Sequence, residues 1–365
     1  MKIAKIEALP LRVPFRHSGH SSGFGGRDWN AFDILVVRLE TASGLVGWGE
    51  AFCYNCLPAS KAAVETMVAP LAQGRDAREI SGLMKDLQVD LHLWGRYGIT
   101  MFALSGLDIA LWDLAGRAAG LPLQRLLGGQ RDEVPCYASL MKYLDPEVVA
   151  ERTQSALSDG YHYIKLHERA EPEVRAARQV AGGDIPIMLD VNCAWSPEEA
   201  SAITEELVDH DLYWLEEPVW PPENFAALAE LREQFGVPLA AGENACTAWQ
   251  FGAMLAAGAV DFAQPSITKV GGLTEMRKVA ALCEVQNVAV APHSPYFGPG
   301  MLATLQFLAA QPGEAPFERF YVDLEASMWG AATDPVAGKL KVPDGPGIGL
   351  EPDPDFLRDY SLKED

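Results

Sequence analysis

Polar residues recur through the last two-thirds of this 365-residue chain at a nearly constant interval. Lys165, Asp190, Glu216, Glu243, Lys269, His293 and Glu318 follow one another in steps of 25, 26, 27, 26, 24 and 25 residues. Each sits toward the C-terminal end of a short apolar run or just past it, in YIKLHE, IPIMLDVN, LYWLEEP, PLAAGEN, DFAQPSITK, AVAPHS and PFERFYVDL, and an eighth run, VPCYASL, precedes them. One such step holds a strand, a helix and two short loops, at a rise of about 3.3 Å per strand residue and about 1.5 Å per helix residue. Between the runs lie helical stretches such as SPEEASAITEELVDH, which opens with Ser196, Pro197 and Glu199 as a capping box with proline in the first turn. Strand and helix in strict alternation build a parallel sheet. Eight strands with no glycine-rich dinucleotide fingerprint after the first favour a closed α/β barrel over an open doubly wound sheet. The period then carries all seven polar side chains to the C-terminal mouth, the end at which such barrels do chemistry.

The first third has another texture. KIAKIEALPLRV, FDILVVRLE and LVGWGEAF read as strands, the last two joined by a turn at Thr41 to Gly44. From Ser60 the period becomes helical and ends with SGLDIALWDLAGRAAG, stopped by Gly120 and Pro122. We therefore expect an α+β unit over residues 1–128, a barrel over 129–324 and a separate C-terminal segment over 325–365. Two loops of the first unit, 16–30 and 50–60, are too long and too rich in Gly, His and aromatics for simple connections. His17, His20, Arg27, Trp29 and Tyr54 are expected there as substrate contacts.

With 29 Lys and Arg against 50 Asp and Glu, the net charge of −21 argues against nucleic acid and anionic membrane as partners. Prolines and charges in MKIAKIEALPLRVPF do not suit a signal peptide, and a cytoplasmic protein is expected. The six cysteines are scattered, and the one C-x-x-C, Cys53 to Cys56, lacks a second pair and reads as two ordinary thiols.

Asp190, Glu216 and Glu243, on successive strands, would repel one another unless a cation sat among them. A single acid at a strand end is as well explained as a helix cap, but three in register are not. All-oxygen ligands favour Mg²⁺, admit Mn²⁺ and disfavour Zn²⁺. Lys165 and His167 alternate across Leu166 and so share one face, while Lys269 and His293 come from strands across the barrel. A cation between two sets of bases suits removal of a proton α to a carboxylate, through an enediolate.

These residues resemble the enolase superfamily, and within it the mandelate racemase and muconate lactonizing enzyme group. The resemblance spans essentially the whole chain: GLVGWGE, ALSGLDIALWDLAGRAAGLPLQRLLGG, K-x-H, DVN, WLEEP, GEN, TKVGG, PHS and PDGPGIGLE, in that order. It implies a modified TIM barrel, (β/α)₇β, covered by an α+β capping domain to which the last ~40 residues return. It implies Asp190, Glu216 and Glu243 as metal ligands, with Asn192 the polar residue two after the first. Lys165 matches the first Lys of the family's K-x-K, which contacts the substrate carboxylate. Lys269 matches the Lys before the x-G-G turn, His293 the seventh-strand His of the racemase-like branch, and Glu318 the last-strand Glu that hydrogen-bonds the substrate carboxylate.

Two departures bear on the reaction. His167 replaces the second Lys of K-x-K, and imidazole is a weaker base than an amine but largely neutral at pH 7. Ser266 stands where racemase-like members carry the Asp that orients and charges the seventh-strand His; serine orients without supplying charge. The expected activity is a Mg²⁺-dependent hydro-lyase on a hydroxy-carboxylate or sugar acid. A racemase, epimerase or cycloisomerase is the alternative, and a catalytically silent binding relative a distant one. A small carboxylate is the expected partner, in a homo-oligomer.

Overall fold

The computed structural model describes residues 1–17, 23–24 and 27–362. Strands β1 (Ile3–Arg16), β2 (Gly23–Phe24), β3 (Arg27–Asp28), β4 (Ala31–Thr41) and β5 (Val46–Ala51) belong to the cap. β4 lies between β1 and β5 in an antiparallel sheet. The β4–β5 turn closes where the sequence places it, with Thr41 N donating to Leu45 O at 2.9 Å and Gly44 at a φ of +84°. Helix Ile99–Ala119 packs on this sheet, and Gly120 ends it in the left-handed conformation. By length and composition that helix could cross a membrane, but 78% of its apolar window is buried inside the fold, as in a core helix.

The barrel strands are β6 (Glu133–Ser139), β7 (Ile164–Leu166), β8 (Ile187–Asp190), β9 (Trp214–Glu216), β10 (Leu239–Ala241), β11 (Phe262–Ala263), β12 (Ala289–Val290) and β13 (Phe317–Phe320). Each pairs in parallel with its sequence neighbour from β6 to β12, and β13 pairs back onto β6. Between the ends of that path, the loop after β12 reaches β13 through a hydrogen bond from Ser294 N to the Glu318 carboxylate at 3.0 Å. A helix follows each of the first seven strands, giving (β/α)₇β, a modified TIM barrel. The Ser196 capping box is present. After β13 come β14 (Asp323–Leu324), paired with β1, and β15 (Lys339–Lys341), paired with β6. Beyond them, Arg12 N donates to Tyr360 O and Leu362 N to Pro10 O, bringing the last residues back against the cap.

Buried carboxylates on the cap fix its seat. Glu50 of β5 accepts from Gly300 N at 2.8 Å, in the first turn of helix Pro299–Ala310. Asp108 accepts from Thr274 N at 2.9 Å at the start of helix Gly272–Gln286, where a side chain on Gly272 would collide with it. Helix N-termini offer free N–H groups and positive partial charge, so the acids are partly compensated there. Burial still pushes the carboxyl of Glu50 up to about 8 and that of Asp108 up to about 7. An acid that titrates higher folded than unfolded is protonated in the fold, and ionising it as the pH rises works against folding. Glu50→Gln, neutral at every pH, is therefore expected to flatten the decline of Tm between about pH 5 and 8. Melting curves across that range check it, and an unchanged slope would place the titration elsewhere.

Candidate active site

The floor of the mouth is built by β7, β8 and β9, whose parallel register sets Asp190 beside Glu216. Asp190, Glu216 and Glu243 each present an oxygen within 4.8 Å of the others. Opposite ligands of a Mg²⁺-sized ion stand about 4.2 Å apart, so the three fit one hard cation with little movement. Among the described residues this is the one His, Cys, Asp or Glu cluster of that kind. Lys165, buried, bridges the floor: its Nζ lies 2.6 Å from Glu216, 3.0 Å from Asp190 and 3.1 Å from Glu318. Burial alone would lower its pKa, but the three carboxylates outweigh that and hold it well above the usual lysine range. For Asp190, burial is likewise outweighed by Lys165 and His167, and its carboxyl is held low; for Glu216, burial and then Asp190 push it high. Such opposite shifts in touching acids mark a site that gains by taking up a cation. Asn192 orients Asp190 through its backbone N at 2.8 Å and its Nδ2 at 2.9 Å. Trp214 Nε1 holds the other oxygen of Glu216 at 2.8 Å.

The two sides differ. His167 lies with Lys165, its Nε2 3.3 Å from Asp190 and its Nδ1 2.5 Å from Leu140 O. A carbonyl only accepts, which places a proton on Nδ1, so Nε2, beside the Asp190 carboxylate, is the nitrogen turned toward the cavity. Across the mouth, His293 Nε2 is 2.8 Å from Glu243, and Lys269 Nζ is 3.6 Å from the same carboxylate. Burial is outweighed by His293 and Lys269, and the carboxyl of Glu243 falls to about 2.

Ser266 does not reach His293. The hydroxyl of Tyr296 stands between them, hydrogen-bonded to Ser266 and 3.3 Å from His293 Nδ1. This corrects the expectation of a direct serine–histidine contact. The tyrosine follows His293 by three residues in the PHSPYFGPG loop and fills the volume that the shorter serine leaves. Because hydroxyls both donate and accept, the pair can satisfy Nδ1 whether His293 is neutral or charged.

Trp29, Phe52 and Tyr54 of the cap, with Met141, Pro295 and Phe320 of the barrel, surround a cavity of ≈ 360 Å³ above this floor; Lys142, His167, Arg169, Asp190, Asn192, Glu243, His293 and Glu318 complete its lining. Tyr54 donates to Pro295 O at 2.5 Å, tying the cap to the His293 loop. Glu318 is the last-strand acid that faces the site, held by Ser139 Oγ and Ser294 N at 3.0 Å each; Asp323 pairs with Arg16 in the sheet instead. His17 is buried against Phe15 and Tyr143 and does not line the cavity. His20 lies outside the described residues, as does the side chain of Arg27, whose backbone forms β3. Cys53 and Cys56 are both free thiols.

Tyr296, Lys142 and Arg169 are absent from the residues that sequence reasoning selects. Arg169 stands two residues past His167, a spacing that could have drawn attention to it although β7 ends at Leu166. Lys142 and Tyr296 carry no comparable signal.

Residues 148–356 match the family described as enolase C-terminal domain-like, and residues 14–128 match the mandelate racemase / muconate lactonizing enzyme N-terminal domain. D-galactarolactone cycloisomerase of Agrobacterium fabrum is 31% identical over 352 residues, covering 90% of this chain and 92% of its own. Arabinonate dehydratase of Saccharolobus solfataricus is 29% identical over 343 residues, covering 91% of each. The crystal structure of L-talarate dehydratase from Polaromonas sp. JS666, complexed with Mg and L-glucarate, superposes with a TM-score of 0.84 at 26% identity, covering 99% of this chain and 98% of that one. Whole-length matches in sequence and in structure thus agree with the barrel, the cap and the acidic triad: the chain belongs to the enolase superfamily, in its mandelate racemase and muconate lactonizing enzyme group.

Proposed function

We propose that this protein is a Mg²⁺-dependent dehydratase of a hydroxy-carboxylate, most directly a sugar acid. The observation that carries the reading is the triad of Asp190, Glu216 and Glu243 with Lys165 and His167 on one side and Lys269 and His293 on the other. The dehydratase and cycloisomerase relatives, and the magnesium and glucarate of the talarate dehydratase complex, support it.

Bound by the triad, Mg²⁺ would supply Lewis-acid compensation for the charge that grows on the substrate carboxylate as it becomes an enediolate. Lys165, an ammonium among three carboxylates, is placed to bind that carboxylate, with Glu318 holding the ammonium at 3.1 Å. His167 Nε2 takes the α-proton, since Nδ1 already carries one toward Leu140. His293, in its charged form, gives a proton to the departing β-hydroxide, which leaves as water; Glu243 accepts from Nε2 before the transfer, and the Tyr296–Ser266 pair keeps Nδ1 hydrogen-bonded before and after. Lys269 adds positive charge on that side. The product enol relaxes to a 2-keto acid.

Bases on both sides of the mouth also suit an epimerase, racemase or cycloisomerase. Solvent deuterium uptake at Cα, with and without Mg²⁺, separates these. We expect Mg²⁺-dependent uptake together with keto-acid formation. Uptake without keto acid selects the alternative, and no uptake from any acid sugar overturns both. All six cysteines are thiols, in keeping with a cytoplasmic enzyme, and the exposed Leu93, Trp94 and Tyr97 give a surface for self-association.

A further inference from the structure

The cavity carries more positive charge than its floor uses. Lys165 is paired with Asp190, Glu216 and Glu318, and Lys269 with Glu243, so the floor lysines are committed to floor carboxylates. Lys142 and Arg169 line the same cavity, yet among the described residues neither has a carboxylate within 4.0 Å or a hydrogen-bonding partner for its side chain.

Their placement is built into the backbone. Lys142 follows β6 and Arg169 follows β7, which are adjacent parallel strands. Between them lies Glu168, buried, its two oxygens accepting from Tyr143 N at 2.6 Å and Leu144 N at 3.0 Å. The Glu168 carboxylate thereby pins the loop that bears Lys142, and Leu144 turns it at a φ of +55°. His167, one residue earlier, stitches the same loops through Leu140 O at 2.5 Å. Desolvation, and then the like charge of Arg169, hold the Lys142 ammonium below the usual lysine range. Glu168 offsets part of the repulsion between these two cations, and an anion bound between them in the cavity offsets more of it.

We propose that Lys142 and Arg169 form a subsite for a second anionic group at the far end of the substrate, so that the preferred acid sugar is charged at both ends, an aldarate or a phosphorylated aldonate. The proposal rests on the sugar-acid reading above and extends it to substrate class. Asp190, Glu216, Glu243 and Glu318 are balanced by Lys165, Lys269 and a divalent cation. Lys142 and Arg169 add two positive charges that the floor carboxylates do not pair with and Glu168 only partly offsets, so a second anionic group on the substrate gains there while a single carboxylate held at the floor does not. The planar fork of arginine meets a carboxylate or a phosphate with two parallel hydrogen bonds.

Calorimetric titration in Mg²⁺ tests this with two sets of ligands: galactarate, galactonate and galactonate 6-phosphate, and the corresponding three from glucose. In at least one set a member charged at both ends is expected to bind about tenfold or more tighter than the plain aldonate. Lys142→Gln/Arg169→Gln should abolish that preference; both side chains reach solvent, so the variant should fold, which circular dichroism checks. Preference for the aldarate or for the phosphate identifies the anion. Plain aldonates binding as tightly as their partners in both sets, a preference that survives in the double variant, or no binding by any of the six overturns the subsite. Deuterium uptake at Cα, followed in parallel, judges proton abstraction separately: binding with the expected preference but without uptake removes the dehydratase reading and leaves the subsite standing.

Discussion

Glu216→Gln is expected to lower turnover by about 10³-fold, the scale of a lost Lewis acid worth several kcal/mol. The buried carboxylate has one oxygen 2.6 Å from Lys165 Nζ and the other 2.8 Å from Trp214 Nε1. Glutamine keeps the volume but offers one acceptor and one NH₂ group, so one of these two donors must face another donor. The triad also loses one of its three negative charges. Weaker Mg²⁺ binding should therefore accompany the lost turnover. Titration of Mg²⁺ into the metal-free variant measures the first, keto-acid formation at the Mg²⁺ concentration that just saturates the wild type the second, and circular dichroism verifies the fold. Wild-type turnover in Glu216→Gln would remove the metal assignment.

The barrel was legible because its signal is local and repeated. Each strand contributes one polar residue against an apolar background, and the 24 to 27 residue step depends only on the lengths of a strand and a helix. Three elements escaped because they depend on how distant segments dock. His17 sits in a loop of the expected composition, yet its ring meets Phe15 and Tyr143 rather than the cavity. Ser266 occupies the position from which a longer side chain would reach His293, and the intervening Tyr296 could be found only by placing the loop in space. Lys142 reads as an ordinary surface lysine until Glu168 folds its loop against β7. Glu50 shows the same limit: nothing in LVGWGEAF marks its acid as buried, yet it lies buried at the N-terminus of a barrel helix.

His293→Gln is expected to lose elimination by about 10²-fold or more, the usual scale for a general acid or base, while exchange of the α-proton persists. Glutamine can still donate to Glu243, now 2.8 Å from His293 Nε2, and can accept from Tyr296, but it cannot shuttle a proton at neutral pH. The geometry of His167 is why exchange should survive. Its Nδ1 is occupied by Leu140 O, and its Nε2, on the Lys165 side and 3.3 Å from Asp190, is the nitrogen placed to receive the proton. A substrate held by its carboxylate presents that proton to one side only, so loss of the opposite histidine should leave the first step intact. Deuterium uptake at Cα and keto-acid release, measured on the same samples, separate the two steps. If uptake disappears with elimination, His293 is itself the base and His167 is not. If both proceed at wild-type rates, neither assignment of His293 stands and proton transfer on that side passes to Lys269, whose Nζ lies 3.6 Å from the same Glu243 carboxylate.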